Sequence, residues 1–517
     1  MASSQKISQP GAYKAKNVLG ALLLLRLVNS ALVQTFFQPD EYFQCLEPAW
    51  RAAFGEGSGA YITWEWDHQL RSSLHPLLFA AVYKFADLLG HYVVPGLRAT
   101  LLLVLPKVMQ AVIAALGDFY SWKLAQKLYK DDTIASATVL WMTALNPWQF
   151  YVSVRTFSNS LETTLTVAAL NGWPWEGAKR LRLSLILAAT AVLLRPTNLL
   201  IWAPICLLTL MPKSLSSTLL NPTLKETVAF LTEILYCGAL TLGISDLAVF
   251  YGENVGHYYL SQGLPLLCIS LLPFVLLSLW RSHPNPQASK GFTVLKWAVY
   301  VTITVLSQIA HKEARFIYPL LPLLHVLSAR MVSQFFLYSP HHHARPHQFR
   351  NKRYLIPGLL INLIVAAYLG IAHQRAVISV TAFLRDQYAV SADRPTPDIA
   401  NSEARFAVFL TPCHSTPWRS HLIYPGLSVR ALTCDPRFIP IPILTRERYP
   451  PSSGLRERVP PYIVGFEGIE PVLVEYFDGP GSEHGIRSLK RVWEGWNGLF
   501  TDDWRRAGKL VVWETES

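Results

Sequence analysis

Charge is what this sequence has least of. Of its 517 residues, 15% are Asp, Glu, Lys or Arg and 51% are hydrophobic, with mean hydropathy +0.25. A water-soluble globule has no use for so many apolar runs, so that class is excluded. The chain also lacks a Cys-x-x-Cys pair, which argues against zinc, and an N-glycosylation sequon. No internal half-repeats appear, and the charges gather at one face rather than at the bilayer midplane, which argues against a transporter or lipid flippase.

What is present is a series of apolar stretches. A helix crossing a bilayer takes about 20 apolar residues. Candidate runs fall at about 17–36, 76–94, 97–118, 134–151, 158–174, 181–195, 197–212, 228–250, 259–280, 293–310, 316–338 and 354–373. The first has few charges ahead of it and no small-residue cleavage site before Asp40, so it reads as a retained anchor. The net charge of +12 is concentrated in short loops such as Lys123–Lys130, Lys179–Arg182, Arg281–Lys290 and Arg345–Arg353. Basic loops face the cytoplasm. That rule puts Asp40, Arg155, Arg195, the His311 region and everything after residue 375 on the far side. Residue 75 is then outside and residue 121 inside with two runs between them, so one of those two does not cross fully. The expectation is a polytopic α-helical membrane protein with about 11 spans. Residues 1–16 form a cytoplasmic tail, and 17–375 a multi-spanning domain with a lumenal loop at 38–75. Residues 376–517 form a small soluble α/β domain, with short β-like runs at YIVGF, PVLVEYF and KLVVWE.

Ionisable residues at a membrane boundary are costly to desolvate and rarely kept without use. Asp40 and Glu41 follow Pro39, which ends the preceding helix, and so are expected in a loop at the membrane surface. One carboxylate of such a pair can act as a base while a cation holds the other; the alternative is an ordinary solvated pair. Trp64 and Trp66 flank Glu65, a pattern suited to stacking on sugar rings while the carboxylate accepts hydroxyl hydrogen bonds; the alternative is an interfacial aromatic belt. Ser160 is placed to cap a helix, with Glu162 in its first turn. Arg71, Arg155, Arg195, Lys312 and Arg315 form a set of cations on the far side, against the positive-inside bias. A lipid-linked phosphate is one reason for them, with His311 hydrogen-bonding a phosphate oxygen and Glu313 orienting its neighbours. For Arg155 and Arg195 the other reading is interfacial snorkelling, and for His311–Lys312–Glu313 a structural salt-bridge cluster. His341–His343 lies in a basic cytoplasmic loop and reads as solvated rather than metal-binding. Cys206, Cys237 and Cys268 read as packing residues and Cys45 is undecided, while Cys413 and Cys434 are either a disulfide or two free thiols.

The motifs PDEYFQCLEPAW, TWEWDHQLRSSLHPLLFA, RTFSNSLE, VLLRPTN, HYYLSQGLPLL, HKEARFIYPLLPL, PCHSTPWRSHL and WEGWNGLF…DWRR together resemble the dolichol-phosphate-mannose-using mannosyltransferases of the endoplasmic reticulum, glycosyltransferase family 22. RTFSNSLE and PCHSTPW favour the members that add the third mannose of the GPI anchor precursor over those that add the fourth or build N-glycan precursors. The resemblance implies a GT-C type helix bundle with its active site in lumenal loops. It implies dolichyl-phosphate mannose as donor, a mannosylated GPI precursor as acceptor, and no cofactor or metal. By that likeness the base is Asp40, with Glu41 binding or orienting, and His311, Lys312 and Arg315 serve the phosphate with Arg71, Arg155 and Arg195 in support. There are two departures, the smaller being Gly256 where family members carry Trp before the His-Tyr-Tyr run. Family members usually carry a further lumenal stretch ahead of LAVFYG, whereas here CGALTLGIS runs directly into Asp246.

Overall fold

A computed structural model of the 517-residue chain describes residues 14–68, 71–130, 132–175, 181–210, 253–281, 286–338, 348–393, 406–432, 460–478, 488–498, 506 and 508–516. Asp246, Cys237, Cys434 and the His341–His343 tract lie outside them, as does the run at 228–250. The chain divides into two compact units: residues 1–30 with 110–366, and residues 31–109 with 367–517.

The first unit is helical. Its apolar runs leave no water to satisfy backbone groups, and helix formation satisfies them internally. Among the described residues, five helical segments are long and apolar enough to cross a membrane: Ala15–Leu32, Arg98–Tyr129, Tyr259–Trp280, Ala314–Phe336 and Lys352–Ser391. Thr133–Leu145, Leu181–Leu194 and Pro196–Thr209 are shorter apolar helices. The basic segment at Lys123–Lys130, expected as a loop, is instead the end of a continuous helix over Arg98–Tyr129. No glycine or proline interrupts residues 118–129, so nothing stops the helix there. Asp132 then caps the next helix by accepting from the Ala135 N–H at 2.9 Å. Close helix approach depends on Gly117, where an added Cβ would come within 2.7 Å of the Thr164 hydroxyl.

An ion pair sits wholly inside this bundle. Arg26 and Asp118 are wholly buried and paired at 2.6 Å. Gln149 donates to the other Asp118 oxygen at 2.7 Å and accepts from the Tyr318 hydroxyl at 2.7 Å. Arg26 also donates to Asn29 at 2.8 Å and, more weakly, to the Thr143 carbonyl at 3.4 Å. The result is a polar network linking five helical elements.

The second unit packs helices around a five-stranded sheet. Strand order is Val429–Ala431, Ala407–Phe409, Tyr462–Phe466, Leu510–Glu516, Ser488–Gly495; the first three run parallel and the last two pair antiparallel. Tyr462–Phe466 is buried along its whole length, as a central strand covered on both faces should be. PVLVEYF, expected as a strand, lies within a helix over Glu470–Asp478. Glu470 and Pro471 suit a first helical turn, and that local preference overrides the β-branched valines.

Glu47, in the Glu47–Phe54 helix, ties this unit together. It is fully buried and accepts from the Tyr61 N–H at 3.0 Å and the Ser420 N–H at 2.8 Å. Burial pushes its carboxyl above the usual range, against those two N–H groups and the nearby Arg419 charge. Glu47→Ala leaves two buried N–H groups unsatisfied, so it is expected to destabilise the protein by about 2–5 kcal/mol. Thermal denaturation of the detergent-solubilised protein measures this.

Candidate active site

Asp40, Glu41, Trp64, Glu65, Trp66 and Arg71 lie in the second unit. Asp40 and Glu41 are not in a loop. They form the first turn of a helix that continues through a π-helical turn at Tyr42–Leu46 into Glu47–Phe54. Pro39 starts this helix rather than only ending the one before: its carbonyl accepts from the Tyr42 and Phe43 N–H groups at 3.0 and 2.9 Å. Two acidic residues suit such a start, where the exposed N–H groups favour negative charge. Successive helical side chains point about 100° apart. Accordingly Glu41 is buried, at 8% exposure, while Asp40 is half-buried.

The 61–68 segment follows the same pattern of one hidden acid among half-exposed rings. Trp64–Asp67 is a single helical turn in which Glu65 is buried and Trp64 and Trp66 are half-buried. The Trp66 indole N–H donates to the Phe43 carbonyl at 3.2 Å, which fixes this turn against the Asp40–Glu41 helix. Arg71 is half-buried. Cys413 is disulfide-bonded. Beside it stands a residue that was quoted in a motif yet not counted as a candidate: the charges of Glu65 and Asp40 both act on the His414 imidazole.

The other candidates, Arg155, Arg195, His311, Lys312, Glu313 and Arg315, lie in the first unit. Glu313 organises them. Arg315 donates to both its oxygens at 2.6 and 2.7 Å, and the His311 ring meets it at 2.9 Å. Burial works to raise the Glu313 carboxyl, but the charges and hydrogen bonds of Arg315 and His311 outweigh it and hold it well below the ordinary range. Lys312 is buried, and its ammonium donates to the Asn254 carbonyl at 2.8 Å, while the Asn254 amide returns a bond to the Lys312 carbonyl at 2.9 Å. Arg195 approaches Glu162 to 3.3 Å and donates to Ser158 at 3.3 Å. Arg155 donates to the Tyr151 carbonyl at 3.0 Å and lies 4.3 Å over its ring. Arg195 and Arg315 both lie within about 5.6 Å of the Phe316 ring, and Asn159 donates to the Arg315 carbonyl at 3.1 Å. These four cations and His311 are thus gathered by turns and short irregular segments at 153–157, 195–198, 253–258 and 311–316.

Two local expectations there fail. The helix begins at Ser158, so Ser160 does not cap it; its hydroxyl donates to the Val152 carbonyl at 3.0 Å. Glu162 therefore falls beyond the first turn, where Asn198 donates to it at 2.9 Å. Asn198, the last residue of the VLLRPTN motif, and Asn254 were not among the expected site residues. Asn198 ends a short 3-10 turn and Asn254 lies in irregular backbone, and only contact geometry reveals that they hold charged neighbours.

The sequence profile of the Alg9-like mannosyltransferase family matches residues 18–244 and 241–423. The two matches meet just ahead of Asp246. The chain is 43% identical to GPI mannosyltransferase 3 of Gibberella zeae, over 99% of this chain and 98% of that one. It is 32% identical to GPI mannosyltransferase 3 of Yarrowia lipolytica, over 99% and 100%, and 31% identical to GPI alpha-1,2-mannosyltransferase 3 of Bos taurus, over 80% and 73%. The Gibberella alignment runs over 608 positions, so that relative carries residues opposite gaps in this 517-residue chain. Among solved structures, ArnT from Cupriavidus metallidurans bound to undecaprenyl phosphate shares the fold, with a TM-score of 0.51 at 12% identity over 96% of this chain and 97% of that one.

Proposed function

This chain belongs to the Alg9-like mannosyltransferase family, and we propose that it adds the third mannose of the GPI anchor precursor, using dolichyl-phosphate mannose as donor. The observation that carries the reading is end-to-end similarity to third-mannose enzymes. In this reading the oxygen of the 2-hydroxyl on the second GPI mannose attacks the anomeric carbon of the donor. Asp40 takes the hydroxyl proton, because it is the half-exposed member of its pair. Glu41, buried behind it, holds or orients. The bond from the anomeric carbon to the phosphate oxygen breaks, its electron pair leaves on dolichyl phosphate, and inversion gives an α-1,2 linkage. His311, Lys312 and Arg315, with Arg71, Arg155 and Arg195, stabilise the phosphate as its charge grows. The aromatic and acidic turn at Trp64–Trp66 receives the acceptor sugar. Dolichol-linked donors and GPI precursors place this chemistry at the endoplasmic reticulum membrane, on its lumenal face, within a GT-C architecture.

The test is complementation. Cells depleted of their own third GPI mannosyltransferase receive this chain, with surface GPI proteins and precursor lipids as readout. Rescue, with loss of accumulated two-mannose precursor, is the expected result. A version carrying the relatives' stretch ahead of Asp246 runs beside it. Rescue by that version alone means that the stretch belongs to the catalytic machinery. Failure of both, at normal membrane levels, sinks the assignment.

A further inference from the structure

We propose that His414 is an acceptor-positioning residue, whose imidazole holds a hydroxyl of the incoming sugar beside Asp40. The proposal rests on the mannosyltransferase reading above.

His414 sits between Phe43 and Tyr61, with ring centroids at 4.5 and 5.4 Å. Tyr61 in turn packs edge-on to Phe43 at 5.5 Å and to Trp418 at 6.0 Å. The His414 Nε2 atom is buried, yet it has no hydrogen-bond partner among the described residues. So is Gln44 Oε1, on the residue next to Phe43, although the same amide donates to Thr63 at 3.2 Å. Buried polar atoms are nearly always satisfied, so two orphans on neighbouring segments need an explanation. A polyhydroxylated ligand supplies one.

The surrounding chemistry agrees with a sugar. The half-buried Tyr61 ring lies against the imidazole, Phe43 and Trp418 pack behind as buried apolar neighbours, and the Asp40 and Glu65 charges reach the imidazole. A cation is the rival occupant, but among the described residues no three His, Cys, Asp or Glu side chains converge as metal ligands do. Burial pushes the His414 imidazole below its ordinary value, outweighing the two carboxylates that raise it. A neutral imidazole has one accepting and one donating nitrogen, and a hydroxyl can meet either.

The backbone supports a positioning role as well. His414 has φ of +57°, in the left-handed region that non-glycine residues rarely occupy. Such strain persists only where the surroundings enforce it, and it clusters at functional sites. Here the enforcement is local: Cys413 is disulfide-bonded, and the Ser415 hydroxyl closes onto the Pro412 carbonyl at 2.5 Å.

The experiment uses the full chain in isolated membranes, with dolichyl-phosphate mannose and a two-mannose GPI precursor as substrates. His414→Phe keeps the ring packing and removes the nitrogen. His414→Gln restores a polar group near the Nε2 position. Membrane level and the oxidation state of Cys413, read by alkylation, report folding. The expected result is that His414→Phe raises the acceptor KM roughly ten- to a hundredfold with the donor KM unchanged, and that His414→Gln recovers most of the loss. If His414→Phe does not accumulate, His414→Asn replaces it: asparagine accepts the left-handed backbone but is too short to reach the Nε2 position, so it should show the same acceptor defect. An unchanged acceptor KM, or an equal rise for both substrates, overturns the proposal while leaving the reaction intact. An unmutated chain that transfers no mannose overturns the reaction itself.

Discussion

Asp40→Asn is expected to lower the rate of mannose transfer by about 10²–10⁴-fold, the range in which a general base contributes, with protein level and membrane insertion preserved. Asparagine keeps the shape and size of the side chain, so the first turn over Asp40–Glu41 should survive. What it loses is the ability to take the acceptor proton. Glu41→Gln is the contrast. Glu41 is buried, so its loss should act on binding or local stability more than on the chemical step. Single-turnover transfer at saturating donor separates the two. If the Asn variant stays within fivefold of the unmutated enzyme while the Gln variant falls by orders of magnitude, the base is Glu41.

The second large effect concerns folding rather than chemistry. Removing either partner of the Arg26–Asp118 pair leaves a buried charge facing apolar surroundings, and such losses run to about 3–5 kcal/mol. Arg26→Leu and Asp118→Leu are each expected to show that cost in thermal unfolding of the solubilised protein. The double variant should cost far less than their sum, because neither charge is then stranded. The remaining cost comes from Gln149, which would lose its acceptor on Asp118 while keeping the Tyr318 hydroxyl, and from Asn29 and the Thr143 carbonyl, which would lose the Arg26 donors. Additive losses would mean that the two residues act independently, against the 2.6 Å contact between them.

The helical membrane character was legible because long apolar runs have one stable solution in lipid. The grouping of His311, Glu313 and Arg315 was legible because charges at apolar boundaries stand out. Local conformation was harder. Pro39 reads equally well as the end of one helix or the first turn of the next, and only the following buried residues Tyr42, Phe43, Cys45 and Leu46 decide it. Arg26 and Asp118 were passed over because attention to boundary charges hides a pair in two distant apolar runs, and their partnership depends on packing 92 residues apart. His414 went uncounted for a related reason. A lone histidine between Cys413 and Ser415 carries no spacing signal, and its meaning comes from Phe43, Tyr61 and the carboxylates that the fold brings to it.

The π-helical turn at Tyr42–Leu46 gives the Asp40 end of its helix an unusual sensitivity to length. A π turn closes its backbone ring one residue later than an α turn, so it holds the equivalent of a single inserted residue. Deleting one residue there would relax the segment to regular α geometry without breaking the helix. Glu47 is pinned by Tyr61 and Ser420, so the rotation of about 100° would fall on the residues before it. The half-exposed acid would then be Glu41 or neither, on an otherwise intact scaffold. The aim of the proposed base is thus encoded in residue count as much as in residue identity, and a chain of this lineage could gain or lose activity by a codon-sized indel with no change in its acidic pair.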